Sequence, residues 1–418
     1  MPARTMRELR VQLGENQMSS GNEGGSFHGA DVSATAENSN LQSSETNTAS
    51  TPSLGVNVVC YTSPGSLAEC VKQLVCALQA ARIPFVVNDV STGRDMTLSA
   101  YLSDDNPYPV NIIHINASEA REFVVSRPSS YFERRINVGI WYWELPTLPT
   151  KWVPYFKLYD EIWVTSRFIH EALSKVSSMP IRKIPFPLTI DTPICQLPRE
   201  RFGLKESMCA FVFTFDYQSV FERKNPLAVV QAFRDAFDRR DEALLIINSI
   251  HSHADLENSR RLRDAAREAR ILILDGRLTR PDYFALLAAA DCYVSLHRSE
   301  GFGITMAQSM YLGKPVIATG YSGNLEFMNK DNSLPVRFNL VELDKNYGPY
   351  EKGNIWAEPD VKQAVDLMRW VYDHRNESRK LGGIASRDVR RQMDPKVVGD
   401  EIRSRLREAI GRNLNFLD

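Results

Sequence analysis

The sequence has few cysteines, no long apolar run and almost no excess of charge of either sign. Its 418 residues include 6 cysteines, mostly in apolar contexts and without the paired spacing of a zinc site. Such sparse use is typical of buried thiols in a reducing compartment. The first residues lack the apolar core of a signal peptide, and no stretch reaches the ~20 apolar residues of a membrane-spanning helix. We therefore expect a cytoplasmic protein.

The near balance of charge argues against a polyanionic partner. Lysine plus arginine total 50 and aspartate plus glutamate total 51, which leaves a net charge of -1. This gives no global attraction to nucleic acid or to anionic lipid. Basic residues do cluster at Arg127, Arg134 and Arg135, beside Tyr131 and Phe132. The cluster indicates either a peripheral contact with the inner face of a membrane or, more simply, a solvated helix face.

Along the chain, a polar tail precedes two α/β halves. Residues 1–54 are rich in Ser, Asn, Gly, Thr and Glu and carry too little apolar surface to fold, so we expect a disordered tail. Short apolar runs then alternate with helix-length stretches, which predicts parallel sheets covered on both faces. We place one Rossmann-like domain at 55–200, a second at 207–393 and an amphipathic C-terminal helix at 394–418.

The string SEGFG carries the most informative chemical pattern, because it follows an apolar strand and precedes a helix. Glu300 offers a carboxylate to sugar hydroxyls. Backbone amides near Gly301, Phe302 and Gly303 can hold sugar or phosphate oxygens, since glycine lets a ligand come close. Gln308 stands eight positions after Glu300, a spacing of about two helical turns that lets both side chains face one cleft.

Two further turns at predicted strand ends suit the same kind of ligand. Gly65 and Ser66 end the first strand and open a helix, where free amides can meet a phosphate. Arg223 and Lys224 precede Pro226 at a helix start, and two adjacent cations suit a diphosphate. An ordinary turn and a solvated basic pair are the alternatives. Cations beside the positive end of a helix are unfavourable, however, unless an anion joins them.

Together these strings closely resemble the signature of the retaining nucleotide-sugar glycosyltransferases with GT-B architecture, also called glycosyl transferases group 1 or family 4-like. The resemblance covers about 55–393 and is strongest over 209–330. It implies an α/β fold of two Rossmann-like domains facing across a cleft, with the C-terminal helix returning to the first domain. The family signature is glutamate, seven residues, glutamate, and here Gln308 replaces the second glutamate.

The resemblance also implies an activity and roles for several residues. A sugar passes, without an obligatory metal or a cofactor, from a nucleotide sugar to a glycan or lipid-linked acceptor, as in polysaccharide biosynthesis. Lys224 corresponds to the family's diphosphate-binding lysine. The family's arginine further upstream is missing here, and Arg223 replaces its charge. Glu300 is then expected to hold the donor sugar, and Gln308 is expected to face the ribose.

Two further assignments depend on position alone. Arg277 follows a strand where the family reads the nucleobase, so we expect it to stack on the base or flank it. Glu144 follows Trp141, Tyr142 and Trp143, close to where family members often carry a histidine. By position, we therefore expect Glu144 to take the catalytic role of that histidine. The aromatic residues form either a platform for a sugar ring or part of the core.

The histidines give weaker signals. His114 follows an apolar strand and is predicted to be packed and hydrogen-bonded rather than catalytic. His251 and His253 are spaced like a metal-binding pair but have no carboxylate partner in the sequence pattern, so we predict a loop there and no metal site.

Two other functions stay open. A sugar-nucleotide-binding protein without transferase activity would keep the glycine turns and Lys224, and Gln308 points in that direction. A GT-B epimerase or phosphorylase would also have two Rossmann-like domains, although the SEGFG string favours transfer to an acceptor. Release of a nucleoside diphosphate only in the presence of an acceptor distinguishes the transferase from both.

Overall fold

The structure is a computed structural model in which two parallel sheets form the framework. It describes residues 54–63, 65–91, 96–191, 199–267 and 269–417. The predicted N-terminal tail therefore lies, except for its last residue, outside the described residues. Residues 192–198, near the end of the first predicted domain, are outside them too, and the domain boundaries stay a prediction.

The first sheet contains the short apolar runs of the first half. Its strands are β1 (Val56–Cys60), β2 (Phe85–Asp89), β3 (Val110–His114), β4 (Ile136–Ile140), β5 (Glu161–Val164) and β6 (Ile181–Lys183). They are parallel, in the order β2-β1-β3-β4-β5-β6. Every residue of β1, β3 and β4 is buried, as expected for strands covered on both faces. The covering helices are α1 (Ser66–Ala80), α2 (Ala117–Ser126) and α3 (Arg167–Ser174).

The second sheet repeats this pattern. Its strands are β7 (Cys209–Asp216), β8 (Ala243–Ile250), β9 (Ile271–Asp275), β10 (Cys292–Ser295), β11 (Val316–Thr319) and β12 (Leu334–Val336). They pair in the order β12-β11-β10-β7-β8-β9. The helices of this half are α4 (Phe221–Lys224), α5 (Pro226–Ala236), α6 (Leu256–Ala266), α7 (Arg280–Ala289), α8 (Ile304–Tyr311), α9 (Val361–Asp373) and α10 (Arg375–Gln392).

An antiparallel pair, absent from the sequence prediction, follows β12. It consists of β13 (Phe338–Glu342) and β14 (Ile355–Pro359). Leu340 at 57% and Ile355 at 39% are exposed, whereas Trp356 at 4% is buried and shares a core cluster with first-half residues such as Trp143. The pair is therefore a separate two-stranded sheet that packs partly against the first half.

The last helix, α11 (Pro395–Leu417), returns to the first half as predicted. Val398, Ile402 and Leu406 share a core cluster with residues of α1 and β1. Gly399 permits close approach to α1, because a Cβ there would overlap the backbone carbonyl of Ala77. The predicted architecture of two facing α/β halves with a returning helix is confirmed.

The basic cluster of the first half packs into the protein. Tyr131 and Phe132 are 7% and 3% exposed. The guanidinium of Arg135 donates to the carbonyls of Asn106 and Ser130. These two aromatic side chains therefore offer no apolar anchor to a membrane. Across the described part of the chain, no helix combines the length and apolarity needed to cross a bilayer.

Candidate active site

The candidate site lies where the carboxyl ends of the two sheets face each other. Ser299 Oγ donates to the carbonyl of Glu144, and Ser166 Oγ donates to the carbonyl of Gly301 at 2.7 Å. A Cβ at Gly301 would lie 3.2 Å from the carbonyl oxygen of Trp143, which is tighter than ordinary contact. The predicted glycine turn thus brings the backbone of the second half against the first.

Glu300 and both predicted cations meet at the centre of this site. Lys224 Nζ is 2.5 Å from Glu300 Oε1, and Arg223 Nη1 is 3.3 Å from Glu300 Oε2. Arg223 also donates to the carbonyls of Ser299 at 2.9 Å and Ser219 at 3.2 Å. The side chain of Glu300 is 12% exposed, that of Lys224 18% and that of Arg223 5%. One carboxylate faces two cations, so the cluster carries a net positive charge that suits an additional anion.

The pKa shifts follow from this arrangement. Burial alone would raise the pKa of Glu300, but attraction to Lys224 and Arg223 lowers it from 4.5 to about 2. Burial lowers the pKa of Lys224 from its ordinary 10.5, and Arg223 adds to that effect while Glu300 opposes it. Glu300 is therefore ionised throughout the physiological range, and its charge depends on both cations.

The loop that carries the cations differs from the prediction. Arg223 and Lys224 end the one-turn helix α4, and Asn225 follows with a left-handed φ of 53° before α5 begins at Pro226. Asn225 Nδ2 donates to a backbone carbonyl of the loop after β10 at 3.0 Å, which holds this conformation. The predicted conflict with the positive end of a helix does not arise, because the pair belongs to a separate turn and Glu300 is the adjacent anion.

The turn after β11 fixes the backbone of Glu300. The amide of Glu300 donates to Ser322 Oγ at 2.8 Å, and the amide of Gly323 donates to the carbonyl of Glu300 at 2.9 Å. A Cβ at Gly323 would overlap the carbonyl of Gly301. The turn therefore packs on the Glu300 segment.

His297 and Asn324 belong to the same region and were missed from the sequence. His297 is fully buried, and its Nε2 lies 3.2 Å from Asn324 Oδ1. Burial lowers the pKa of His297, so the ring is neutral at physiological pH. The side chain of Phe302 is also buried, with its ring 4.6 Å from that of Phe186 between centroids. Phe302 can therefore offer a ligand only its backbone.

The helix that carries Gln308 is shorter than its spacing from Glu300 suggests. The helix α8 begins only at Ile304, because Gly303 adopts a left-handed φ of 91° and interrupts the helix. Gln308 is 3% exposed, and its Oε1 accepts a hydrogen bond from the Tyr283 hydroxyl at 3.0 Å. The structure thus joins Gln308 to α7, a contact that the sequence did not predict.

On the first half, Gly65 and Ser66 form the predicted strand-to-helix turn. Gly65 is the N-cap of α1 in an extended conformation, and Ser66 begins the helix. Among the described residues, only the Ser63 carbonyl, at 3.9 Å, would lie within contact distance of a Cβ at Gly65. The described residues therefore do not crowd Gly65 at the amide end of α1.

An ion pair that the sequence did not reveal crosses the cleft near this turn. Arg280 of α7 pairs with Glu69 of α1, and its second terminal nitrogen is 3.4 Å from Asp191. Arg277, predicted to meet the nucleobase, is exposed at the end of β9, next to Gly276 with a left-handed φ of 133°. The structure thus leaves the side chain of Arg277 available at the predicted strand end.

Glu144 lines a cavity of about 160 Å³ in the first half. Trp143 and the half-buried Trp152 line it as well, with their rings edge to face at 5.1 Å. Trp141 and Trp143 are 1% and 3% exposed, so core packing accounts for both, while Tyr142 is half-buried. Glu144 Oε2 accepts a hydrogen bond from the Tyr350 hydroxyl at 2.9 Å.

His114 and His251 occupy structural positions. His114 is packed as predicted, but its Nε2 has no hydrogen-bond partner among the described residues, and burial lowers its pKa to about 4. His251 Nδ1 lies 2.8 Å from Asp216 Oδ1. Within the described residues, no three His, Cys, Asp or Glu side chains are grouped as a metal site.

Comparison with known proteins finds a family resemblance in the second half. Residues 212–387 match the model of the family Glycosyl transferases group 1. A search of curated proteins found no match.

Solved structures share the whole architecture. A glycosyltransferase from Rickettsia africae has a TM-score of 0.64 at 12% identity, over 85% of this chain and 98% of that one. Sucrose-phosphate synthase from Thermosynechococcus elongatus has a TM-score of 0.60 at 15% identity, over 86% of this chain and 99% of that one. Anabaena HepE in complex with UDP and glucose has a TM-score of 0.56 at 13% identity, over 85% of this chain and 100% of that one. The predicted GT-B fold is confirmed.

Proposed function

We propose that this protein is a retaining glycosyltransferase that moves a sugar from a nucleoside-diphosphate sugar to a hydroxyl of a glycan or lipid-linked acceptor. The observation that carries the proposal is the meeting of Glu300, Lys224 and Arg223 in the cleft between the two sheets. A nucleotide sugar has hydroxyls for the carboxylate and a diphosphate for the cations. The structure of Anabaena HepE, which has the same fold, contains UDP and glucose.

On the donor side, the diphosphate replaces part of the contact between Glu300 and the cations. Lys224 has three donor hydrogens and can bridge the carboxylate and a phosphate oxygen. The amide end of α1 at Gly65 and Ser66 supplies donors from the opposite wall. The cations then neutralise the leaving diphosphate, the role that a divalent ion has in other transferases, so the proposal includes neither a metal nor a cofactor.

The backbone around Glu300 and two outlying residues complete the donor site. The amides of Gly301, Phe302 and Gly303 hold sugar and phosphate oxygens. Arg277 flanks the base, and Gln308 faces the ribose after a change in its contact with Tyr283. These assignments follow from the family resemblance and from the positions of the residues at strand ends.

On the acceptor side, the cavity beside Glu144 receives the sugar that is to be extended. Its carboxylate accepts a hydrogen bond from the attacking hydroxyl, and Tyr142 and Trp152 contact the ring. In a front-face reaction the hydroxyl attacks from the side of the leaving group, and a donor phosphate oxygen takes its proton. Closure of the two halves excludes water and limits hydrolysis of the donor.

We place this reaction in the cytoplasm, in polysaccharide or glycan biosynthesis, and a peripheral membrane contact stays a prediction.

A second candidate function is that of a protein that binds a sugar nucleotide without transferring the sugar. The burial of Gln308 against Tyr283 favours it, because that contact competes with a contact to ribose.

Release of nucleoside diphosphate in the presence and absence of acceptor distinguishes the two candidates. A panel of nucleotide sugars is combined with a panel of p-nitrophenyl glycosides. The transferase releases the diphosphate faster with one acceptor, and Lys224→Ala lowers that rate by about 100-fold or more, as loss of a transition-state cation does. Lys380→Ala, on the exposed face of α10, is the matched control. Thermal stabilisation by a nucleotide sugar without release for any acceptor would instead establish the binding protein.

A further inference from the structure

The segment between β13 and β14 joins the second half of the protein to the acceptor side of the first half. Asn354 Nδ2 donates to the carbonyl of Thr147 at 2.9 Å. Tyr350, which is 3% exposed, donates its hydroxyl to Glu144 Oε2 at 2.9 Å. Both contacts fall on the loop after β4 that lines the cavity beside Glu144. An element outside the predicted framework thus completes one wall of the acceptor site.

The ring of Tyr350 also faces the donor side. The Cζ atom of Arg223 lies 5.9 Å from the ring centroid, within the range of a cation–π contact. Arg223 in turn contacts Glu300. The ring of Trp143, which lines the acceptor cavity, is 5.3 Å from that of Tyr350. Tyr350 therefore lies between the acceptor cavity and the charged donor cluster.

We propose that Tyr350 is a positioning residue for sugar transfer: its hydroxyl holds one oxygen of Glu144, so that the other is directed to the acceptor hydroxyl, and its ring keeps Arg223 beside Glu300. This inference rests on the proposed function, because it assigns a task to Tyr350 in that reaction. It adds to the proposed function a physical link between the two substrate sites.

The chemistry of the contact fits this task better than packing alone. Burial raises the pKa of Tyr350 well above 10, so the phenol keeps its proton and acts as a donor. The partner must then be an acceptor, and Glu144 lies 206 positions away in the chain, on the opposite side of the cleft. A phenylalanine would fill the same space without a hydroxyl that needs a buried partner.

The test compares two tyrosines of the same segment. Tyr350→Phe removes the bond to Glu144, and we expect kcat for transfer to fall by about 10- to 100-fold, the effect of losing a hydrogen bond to a charged group. The KM for the nucleotide sugar stays within about twofold, because ground-state donor contacts are kept. Tyr347→Phe is the matched control, since the Tyr347 hydroxyl donates to Asp344 of its own segment at 2.8 Å.

A double-mutant cycle with Glu144→Ala separates positioning from packing. If Tyr350 acts through Glu144, Tyr350→Phe has no further effect on kcat once Glu144 is alanine; a packing role gives additive losses. Equal kcat for Tyr350→Phe and wild type, or additive losses in the cycle, overturns the inference. If Tyr350→Phe does not fold, Glu144→Gln is measured in its place. We expect Glu144→Gln to lower kcat, and a kcat equal to that of wild type would contradict the inference. If the wild-type protein releases no nucleoside diphosphate, the proposed function is overturned as well. If wild type is active and only the Tyr350 results differ from expectation, the inference about Tyr350 alone fails.

Discussion

Replacing Glu300 by glutamine removes the carboxylate that contacts both Lys224 and Arg223 while it keeps the size of the side chain. The variant leaves two positive charges facing each other in a site where the carboxylate was 12% exposed. We therefore expect the stability of the protein and its nucleotide affinity to respond in opposite directions. Stability falls because the cations lose their partner, and affinity for a diphosphate is kept or increased because no carboxylate competes for them.

The pKa of Glu300 sets the size of the effect. It is lowered from 4.5 to about 2, which corresponds to about 3 kcal/mol of net stabilisation of the charged carboxylate in the folded protein. Because the folded state has the lower pKa, this stabilisation is complete above pH 4.5 and is lost as the pH falls towards 2. Glu300→Gln should lower the free energy of unfolding by about 3 kcal/mol at pH 7 and by about 2 kcal/mol at pH 3.5.

Urea unfolding followed by tryptophan fluorescence measures this difference at the two pH values. Glu351→Gln, which changes an exposed carboxylate, is the control and should shift the free energy of unfolding by no more than about 0.5 kcal/mol. Isothermal titration with UDP gives the affinity. Equal stability of Glu300→Gln and wild type at pH 7 would refute the ion cluster, and a loss of UDP affinity above about tenfold, or about 1.4 kcal/mol, would refute the phosphate role of the cations.

Two further substitutions test the geometry around this cluster. Gln308→Glu restores the family's second carboxylate, which can still accept the Tyr283 hydroxyl; we expect donor affinity to be equal or up to about tenfold higher in calorimetry, and a large loss would show that the amide recognises something else. Gly323→Ala places a Cβ on the carbonyl of Gly301, and we expect a loss of about 2 kcal/mol or more. Gly383→Ala, in α10 with no described residue close to the new Cβ, should instead stabilise by about 0.5–1 kcal/mol in the same urea unfolding assay, so equal effects of the two alanines would contradict the predicted overlap.

The sequence predicted the framework because its signals are local. Fully buried parallel strands such as β1 and β4 are short, mostly apolar runs, each of which also contains a buried asparagine, Asn57 or Asn137. The meeting of Glu300 with Lys224 followed from the rule that strands of a parallel sheet end at one edge. These inferences need only spacing along the chain.

Long-range contacts were not accessible to that reasoning. The bond between Tyr350 and Glu144 spans 206 positions, and the strands on either side of Tyr350 have exposed apolar residues that give a weak sheet pattern. The ion pair of Arg280 with Glu69 likewise joins two helices from different halves. The spacing of Gln308 from Glu300 assumed one continuous helix, whereas the glycine turn precedes α8.

The stereochemistry of the transferred sugar tests the central claim most directly. The donor and acceptor that give the fastest release of nucleoside diphosphate are incubated with the protein, and proton NMR records the anomeric signal of the new glycosidic bond. A front-face transfer at Glu300 and Lys224 predicts the same anomeric configuration as in the donor. An inverted configuration, or a product that Glu300→Gln forms at the wild-type rate, would contradict the account.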